Sequence, residues 1–283
     1  MSSATFTLSA FSDEIADDLA TQLKWLARLR VGHMELRAVD KVNVLRLSDD
    51  EVAAIRRACA EKGIGVACIG SPVGKSPLKD SIEPELANLE RIFQIAEALG
   101  TRKVRIFSFY PPDTSSNAHY DQHLDEAIAR LARMAELAAR DGFTLCLENE
   151  KHIVGDTPER CLALLKGVNS PSLRFAWDPA NFVQVGAARV TERHWPSLGP
   201  YVAHVHIKDA HLADGRVCAA GEGDGQVREL LIALRQAGYQ GFLSLEPHLA
   251  IAGPSRGFSG PEGMIYAVAA LRQLMADTGC VEQ

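Results

Sequence analysis

Residues 144–148 read Thr-Leu-Cys-Leu-Glu, an apolar run with the length and composition of a buried strand that stops on an acid, Glu148. Three later runs have the same form: RFAWD ends at Asp178, AHVHIKD surrounds His206, and FLSLE ends at Glu246. A buried strand that stops on a carboxylate or imidazole places that group at the rim of a sheet, and a parallel barrel carries its chemistry on that rim. Three carboxylates and a histidine converging there suit a divalent cation, since buried unpaired carboxylates are costly and oxygen-rich sites prefer hard-to-borderline ions.

Outward from these runs, strand-like segments recur along the chain at Thr5–Phe11, His33–Arg37, Gly65–Gly70 and Val104–Phe109, then at Phe143–Glu148, Leu173–Asp178, Val202–Lys208 and Phe242–Glu246. Segments with helical apolar spacing lie between them, such as Ile15, Leu19, Leu23, Leu26 and Leu29, or Leu124, Ile128, Leu131 and Leu137. Asp156-Thr157-Pro158-Glu159 is a helix start, and Gly63, Gly100, Gly142 and Gly238 sit where helices end before strands. Strand starts are spaced by roughly 27 to 40 residues, the size of one strand–helix unit. The expectation is an α/β fold, a single (β/α)8 TIM barrel spanning 1–283. An open doubly wound sheet fits less well, because no GxGxxG follows the first strand and ligand-type residues end strands throughout the second half. The Gly/Pro/Ser-rich stretch Ala252–Pro261 reads as a long loop after the eighth strand.

Composition narrows the function classes. The 283 residues are 47% hydrophobic and only 6% aromatic, which favours parallel strands covered by helices. A net charge of −6 and the lack of a Lys/Arg cluster argue against nucleic acid as a partner. No basic leader with a long apolar stretch is visible at the N-terminus, and no apolar run is long enough to span a bilayer, so neither secretion nor a membrane is expected. The six scattered cysteines, without a CxxC pair, read as buried free thiols, and a cytoplasmic location is the expectation.

The individual side chains divide by position. His204 and His206 lie two apart and so face the same way on a strand; His206 is nearer the C-terminal end and is the better ligand. Lys208 continues that face to the mouth and could hold an anionic oxygen, while Asp209 more plausibly orients a loop or the histidine. Other strand ends offer substrate contacts: Glu35 and Arg37, Ser71 and Lys75, Ser108 and Tyr110, with Glu150, Lys151 and His152 close behind strand five. Glu222 reads as a supporting group, and His248 as a substrate contact or a loop cap. The lack of a Gly-rich phosphate loop argues against a phosphosugar, although basic side chains such as Lys75 could serve one.

Taken in order, LSAFSDEI (8–15), IGSPVGK (69–75), RIFSFY (105–110), LENE (147–150), WDPAN (177–181), HVHIKDA (204–210), AGEGDG (220–225) and SLEPH (244–248) resemble the sugar phosphate isomerase/epimerase family of the xylose-isomerase-like TIM-barrel superfamily. The resemblance implies one divalent metal, manganese first with magnesium, cobalt and zinc as alternatives, held by Glu148, Asp178, His206 and Glu246. It also implies proton abstraction and return by Glu148 and Glu246 through a metal-stabilised enediolate on a small-molecule sugar or keto-sugar. Barrels of this kind admit a homo-oligomer. Ketohexose 3-epimerases of the superfamily carry a histidine three residues after the metal-binding aspartate, where this chain has Asn181. Apurinic endonucleases carry extra histidines for a three-zinc cluster, which GRVCAAGEG (215–223) lacks. Two rivals share the scaffold. One is a dehydratase of an inosose-type keto-polyol. The other is a non-catalytic sugar-binding barrel, which would be expected to have lost one of the four ligand positions.

Overall fold

Eight parallel strands close on themselves in the computed structural model, which describes residues 5–249 and 259–283. They are β1 (Thr5–Phe11), β2 (His33–Leu36), β3 (Gly65–Gly70), β4 (Lys103–Ile106), β5 (Thr144–Glu148), β6 (Leu173–Trp177), β7 (Val202–Ile207) and β8 (Phe242–Leu245). Each pairs with its sequence neighbour, and β1 pairs with β8 in the register Thr7↔Phe242 to Ala10↔Leu245, so no barrel strand is left with an open edge. A closed sheet removes the unpaired backbone groups that an open one must cover. A two-residue strand, Val281–Glu282, adds to β1 at the N-terminal end.

Helices cover the outside: α1 (Leu19–Leu29), α2 (Asp49–Lys62), α3 (Glu83–Ala98), α4 (Leu124–Asp141), α5 (Pro158–Val168), α6 (Pro179–Gln184), α7 (Val190–Leu198), α8 (Val227–Gln236) and α9 (Gly260–Thr278). Their boundaries have local causes. Ser48 and Glu51 form a reciprocal capping box on α2, and Thr157 caps α5 with Pro158 in its first turn. Gly63 and Gly142 end α2 and α4 in the left-handed region. Ile15, expected within the first helical stripe, lies before the helix. Asp18 caps Thr21 N at 2.8 Å, which starts α1 only at Leu19.

Strand side chains alternate. Leu145, Leu147, Phe175, Trp177, Val205, Ile207, Leu243 and Leu245 join the apolar layer under the helices. The alternate positions bring polar groups together inside the barrel, among them Glu35, Arg105, Glu148, His204 and His206, all buried. The aliphatic core expected from composition is thus the layer between sheet and helices, whereas the barrel interior is largely polar.

Two expectations shift in detail. Strand four ends at Ile106 rather than Phe109, because Phe107 N and Phe109 N turn to Val73 O (2.9 Å) and Gly74 O (2.8 Å) in the loop after β3. Gly74 has φ +86°, and a Cβ there would lie 2.1 Å from Phe107 O, so that crossing needs glycine. The loop expected over Ala252–Pro261 lies outside the described residues up to 258; Gly260 and Pro261 belong to the first turn of α9. All six cysteines are free and buried. Among the described residues no helix is long and apolar enough to cross a membrane.

Candidate metal and active site

Glu148 closes β5, and Asp178, Lys208 and Glu246 each stand at or just past the end of β6, β7 and β8, with His206 one residue inside β7. Parallel strands in register therefore deliver these groups to one mouth. Glu148, Asp178, His206 and Glu246 are all buried, and each offers one ligand atom within 4.8 Å of the others. Asp178 is held from two sides: its carboxylate caps α6 by accepting from Asn181 N at 2.9 Å, and its backbone exchanges hydrogen bonds with the Asn149 side chain at 2.9 and 3.0 Å.

Cations already stand around the carboxylates. Arg105 Nη1 meets Glu148 at 2.8 Å, Arg37 Nη1 meets Glu246 at 2.7 Å, and Lys208 Nζ lies 2.9 Å from Asp178 and 3.2 Å from Glu246. Arg37 also binds Asp13 (2.7 Å) and Glu14 (3.0 Å), while His248 lies between Glu14 (3.1 Å) and Glu246 (3.3 Å). Burial would raise the Glu148 pKa, but His206 and Arg105 together hold it down at about 2. Glu246 is likewise held well below the usual range, because Lys208, His248 and Arg37 outweigh its burial. Asp178 behaves otherwise: burial pushes it up to about 6 despite Lys208.

His206 shows which nitrogen faces the cluster. Its Nδ1 is 2.9 Å from Glu148 Oε1 and 3.9 Å from Glu246 Oε2, while Nε2 points to Glu35 Oε1 at 3.4 Å. Burial works against its protonation, yet Glu148 and Glu35 raise its pKa well above the ordinary value. Glu35 is buried beneath the cluster and accepts from His204 Nε2 at 2.7 Å. The edge of Phe11 walls His206 off on another side, with ring centroids 5.1 Å apart.

A divalent cation fits this donor set. Asp178 Oδ2 is buried with Lys208 Nζ 2.9 Å away, and burial still holds its pKa up, as for a carboxylate whose charge is only partly compensated. Glu148, Asp178, His206 and Glu246 would hold the ion with His206 neutral, and a carboxylate on the far ring nitrogen is the usual support of a metal-bound imidazole. Three carboxylate oxygens and one nitrogen suit manganese, magnesium or zinc.

The remaining candidates are placed as follows. Asn181 is buried and donates to Glu148 Oε1 (3.3 Å) and Asn149 O (2.8 Å). Ser71 Oγ donates to Arg105 O at 2.5 Å, and Ser108 Oγ accepts from Gly155 N at 2.7 Å, so both buried hydroxyls serve the backbone rather than the open mouth. Lys75 pairs with Glu150 at 3.2 Å and covers the Phe107 ring, and half-buried Tyr110 stands near Glu150. Glu222 is exposed and bonded to Tyr266 of α9. Asp209 accepts from four backbone N–H groups, those of Ala210, Gly221, Gly223 and Gly225, at 2.8–3.1 Å, and so fixes the Gly-rich loop. Sequence reading passed over Arg105, Asp13, Glu14 and Asn149. The available signal for Arg105 was a charge between Val104 and Ile106 at an inward-facing strand position.

Comparison with known proteins agrees with the barrel fold. The chain belongs to the xylose isomerase-like TIM barrel family, whose model matches residues 23–274. It is 28% identical over 151 residues to the uncharacterized protein MJ1311 of Methanocaldococcus jannaschii (52% of this chain, 51% of that one). It is 26% identical over 137 residues to a 3-dehydroshikimate dehydratase of Bacillus anthracis (48% and 47%). The matches thus span about half the length of these curated relatives. Among solved structures, D-psicose 3-epimerase with D-tagatose, from Clostridium cellulolyticum H10, aligns with a TM-score of 0.76 at 16% identity over 97% of this chain and all 100% of that one. A xylose isomerase-like TIM barrel protein from Mycobacterium smegmatis in complex with magnesium aligns at 0.70 and 18%, over 99% and 100%. At such identities the structural likenesses show the fold alone.

Proposed function

We propose that this chain is a divalent-metal-dependent isomerase or epimerase of a sugar or keto-sugar, working by abstraction and return of a proton on carbon. The observation that carries this reading is the convergence of Glu148, Asp178, His206 and Glu246 at the barrel mouth. Manganese is the first choice of ion. An ion held by these four groups would act as a Lewis acid for the negative charge that develops when a C–H beside a carbonyl loses its proton.

The side chains supply the rest. Glu148 and Glu246 come from strands separated by two others, so they can reach a bound sugar from different sides. Both carboxylates are held ionised by their cationic neighbours, so either can accept a proton at neutral pH. When one takes the proton and the other, having first taken up a proton from solvent, delivers it to the opposite face, the carbon is inverted. When one carboxylate does both, the proton moves between adjacent carbons and an aldose becomes a ketose. Lys208 Nζ, within 3.2 Å of Asp178 and Glu246, is placed to orient a substrate oxygen. Arg37 and Arg105 hold the two working carboxylates in place.

A dehydratase is the second reading, favoured by the Bacillus anthracis relative. The first proton transfer is the same, after which a β-hydroxyl leaves as water with a proton from a nearby acid such as Lys208. The test of the shared step is removal of metal by chelation and its restoration while a panel of keto-sugars is followed. Activity should vanish and return with manganese. Unchanged turnover in chelator would contradict the reading.

A further inference from the structure

The two oxygens of Glu246 meet different surroundings. Oε1 has Arg37 Nη1 at 2.7 Å and His248 Nε2 at 3.3 Å. Oε2 faces Lys208 Nζ at 3.2 Å and His206 Nδ1 at 3.9 Å, on the side of the four-ligand cluster. One oxygen is held in a cradle of two nitrogen-bearing side chains, and the other is turned to the ion site.

Both arms of the cradle are held by Glu14. This residue ends a short 3-10 turn, Ser12–Glu14, after β1, and its side chain is fully buried. Its Oε1 meets Arg37 Nη2 at 3.0 Å and His248 Nε2 at 3.1 Å. Its Oε2 accepts from His248 N at 3.2 Å and from Ser259 Oγ at 2.8 Å. Ser259 Oγ in turn accepts from Leu249 N at 2.9 Å, and Ser259 N donates to Glu14 O at 3.2 Å. One buried carboxylate therefore ties the ends of β1, β2 and β8 to the start of α9, and charge-assisted bonds of this kind are strong and directional. His248 carries the mark of the arrangement. Its φ is +46°, a left-handed conformation that few residues other than glycine adopt. Glu14 binds both its backbone N–H and its ring, and such strain persists where the surroundings over-determine it. The ligand atoms of Glu14, Glu246 and His248 lie within 4.8 Å of one another, and Arg37 already supplies a cation to both acids.

We propose that Glu14 is a positioning residue: through Arg37 and His248 it fixes Oε1 of Glu246 and so presents Oε2 to the ion. The effect on the ion rests on the reading of Glu246 as a metal ligand; the cradle itself does not. His248 then serves the carboxylate rather than the substrate, and the cost of its backbone conformation is the cost of aiming Glu246.

The test is a double-mutant cycle on manganese affinity, measured on the whole protein by competition with a fluorescent chelator. Glu14→Gln should weaken binding about tenfold or more, as loss of a group that orients a ligand does. Glu14→Asp keeps the charge but is one methylene shorter, and it should weaken binding as well; it also keeps the test standing should Glu14→Gln not fold. In a Glu246→Gln background neither change should cost more than about a further twofold, the margin within which independent effects add. Unchanged affinity in Glu14→Gln, wild-type affinity in Glu14→Asp, or an equal loss with and without Glu246 would each overturn the proposal. So would a second manganese per chain that leaves with Glu14, since Glu14 would then be a ligand itself. The crystal structure of metal-free Glu14→Asp judges the cradle alone: His248 should leave the left-handed region and its ring should part from Glu246. An unmoved cradle would overturn the proposal even in a protein that binds manganese. Wild-type protein that binds no manganese would instead defeat the metal reading, which keeps the two failures distinct.

Discussion

Glu35 Oε1 stands 3.4 Å from His206 Nε2, and the same carboxylate accepts from His204 at 2.7 Å, so two buried imidazoles share one acid beneath the four-ligand cluster. The contact joins residues of β2 and β7. It leaves the other ring nitrogen of His206 facing Glu148 and Glu246.

Glu35→Gln should therefore weaken metal binding by roughly 10–100-fold, the usual effect of losing a carboxylate behind a metal-bound histidine. Competition with a fluorescent chelator measures this without any assay of turnover. Affinity equal to wild type would mean that Glu35 only packs the interior.

Metal should also stabilise the fold. At an ion concentration about 100 times the dissociation constant the expected gain is about 2.7 kcal/mol, visible as a rise in melting temperature that chelator reverses. Asp178→Asn should abolish the rise. A variant that still responded fully would place the ion elsewhere.

Asp209→Ala should cost about 3 kcal/mol or more, since four buried or part-buried N–H groups lose their shared acceptor. Urea denaturation reads the loss, and limited proteolysis should cut within 219–225. Gly223 and Gly225 lack the Cβ that would lie 2.5–2.7 Å from Asp209 Oδ1, so the glycines and the aspartate form one device.

His33, at the N-terminal end of β2, has its pKa lowered from 6.5 by burial. Below pH 6.5 the unfolded chain then binds more protons than the folded one, so this group's contribution is full above 6.5 and shrinks as pH falls. Comparing wild type with His33→Gln from pH 7.5 to 5.5, the stability difference should narrow on acidification. A constant difference would show that the ring titrates alike in both states.

The barrel was legible because its strands are apolar runs punctuated by glycine caps, and the four-ligand set because each of its acids ends such a run. The pairings that make the site work were not. Glu35 and His204 are 169 positions apart, Arg37 and Glu246 are 209 apart, and only closure of β1 on β8 brings such groups together. Arg105 escaped notice because one charge inside a strand carries no spacing signature. Ser71 and Ser108 stand at the expected strand ends, yet the local backbone takes their hydroxyls, and chain order cannot reveal that.

The central claim is that Glu148 and Glu246 move a proton on a sugar carbon. Mass spectrometry of keto-sugars recovered from D2O tests it most directly. With wild-type enzyme and manganese, an isomerase or epimerase should place one deuterium at a carbon next to the carbonyl without loss of water, whereas a dehydratase should give a product lighter by one water. Glu148→Gln and Glu246→Gln should each abolish product formation while keeping the wild-type circular dichroism. Near-wild-type product formation by either variant would contradict the account.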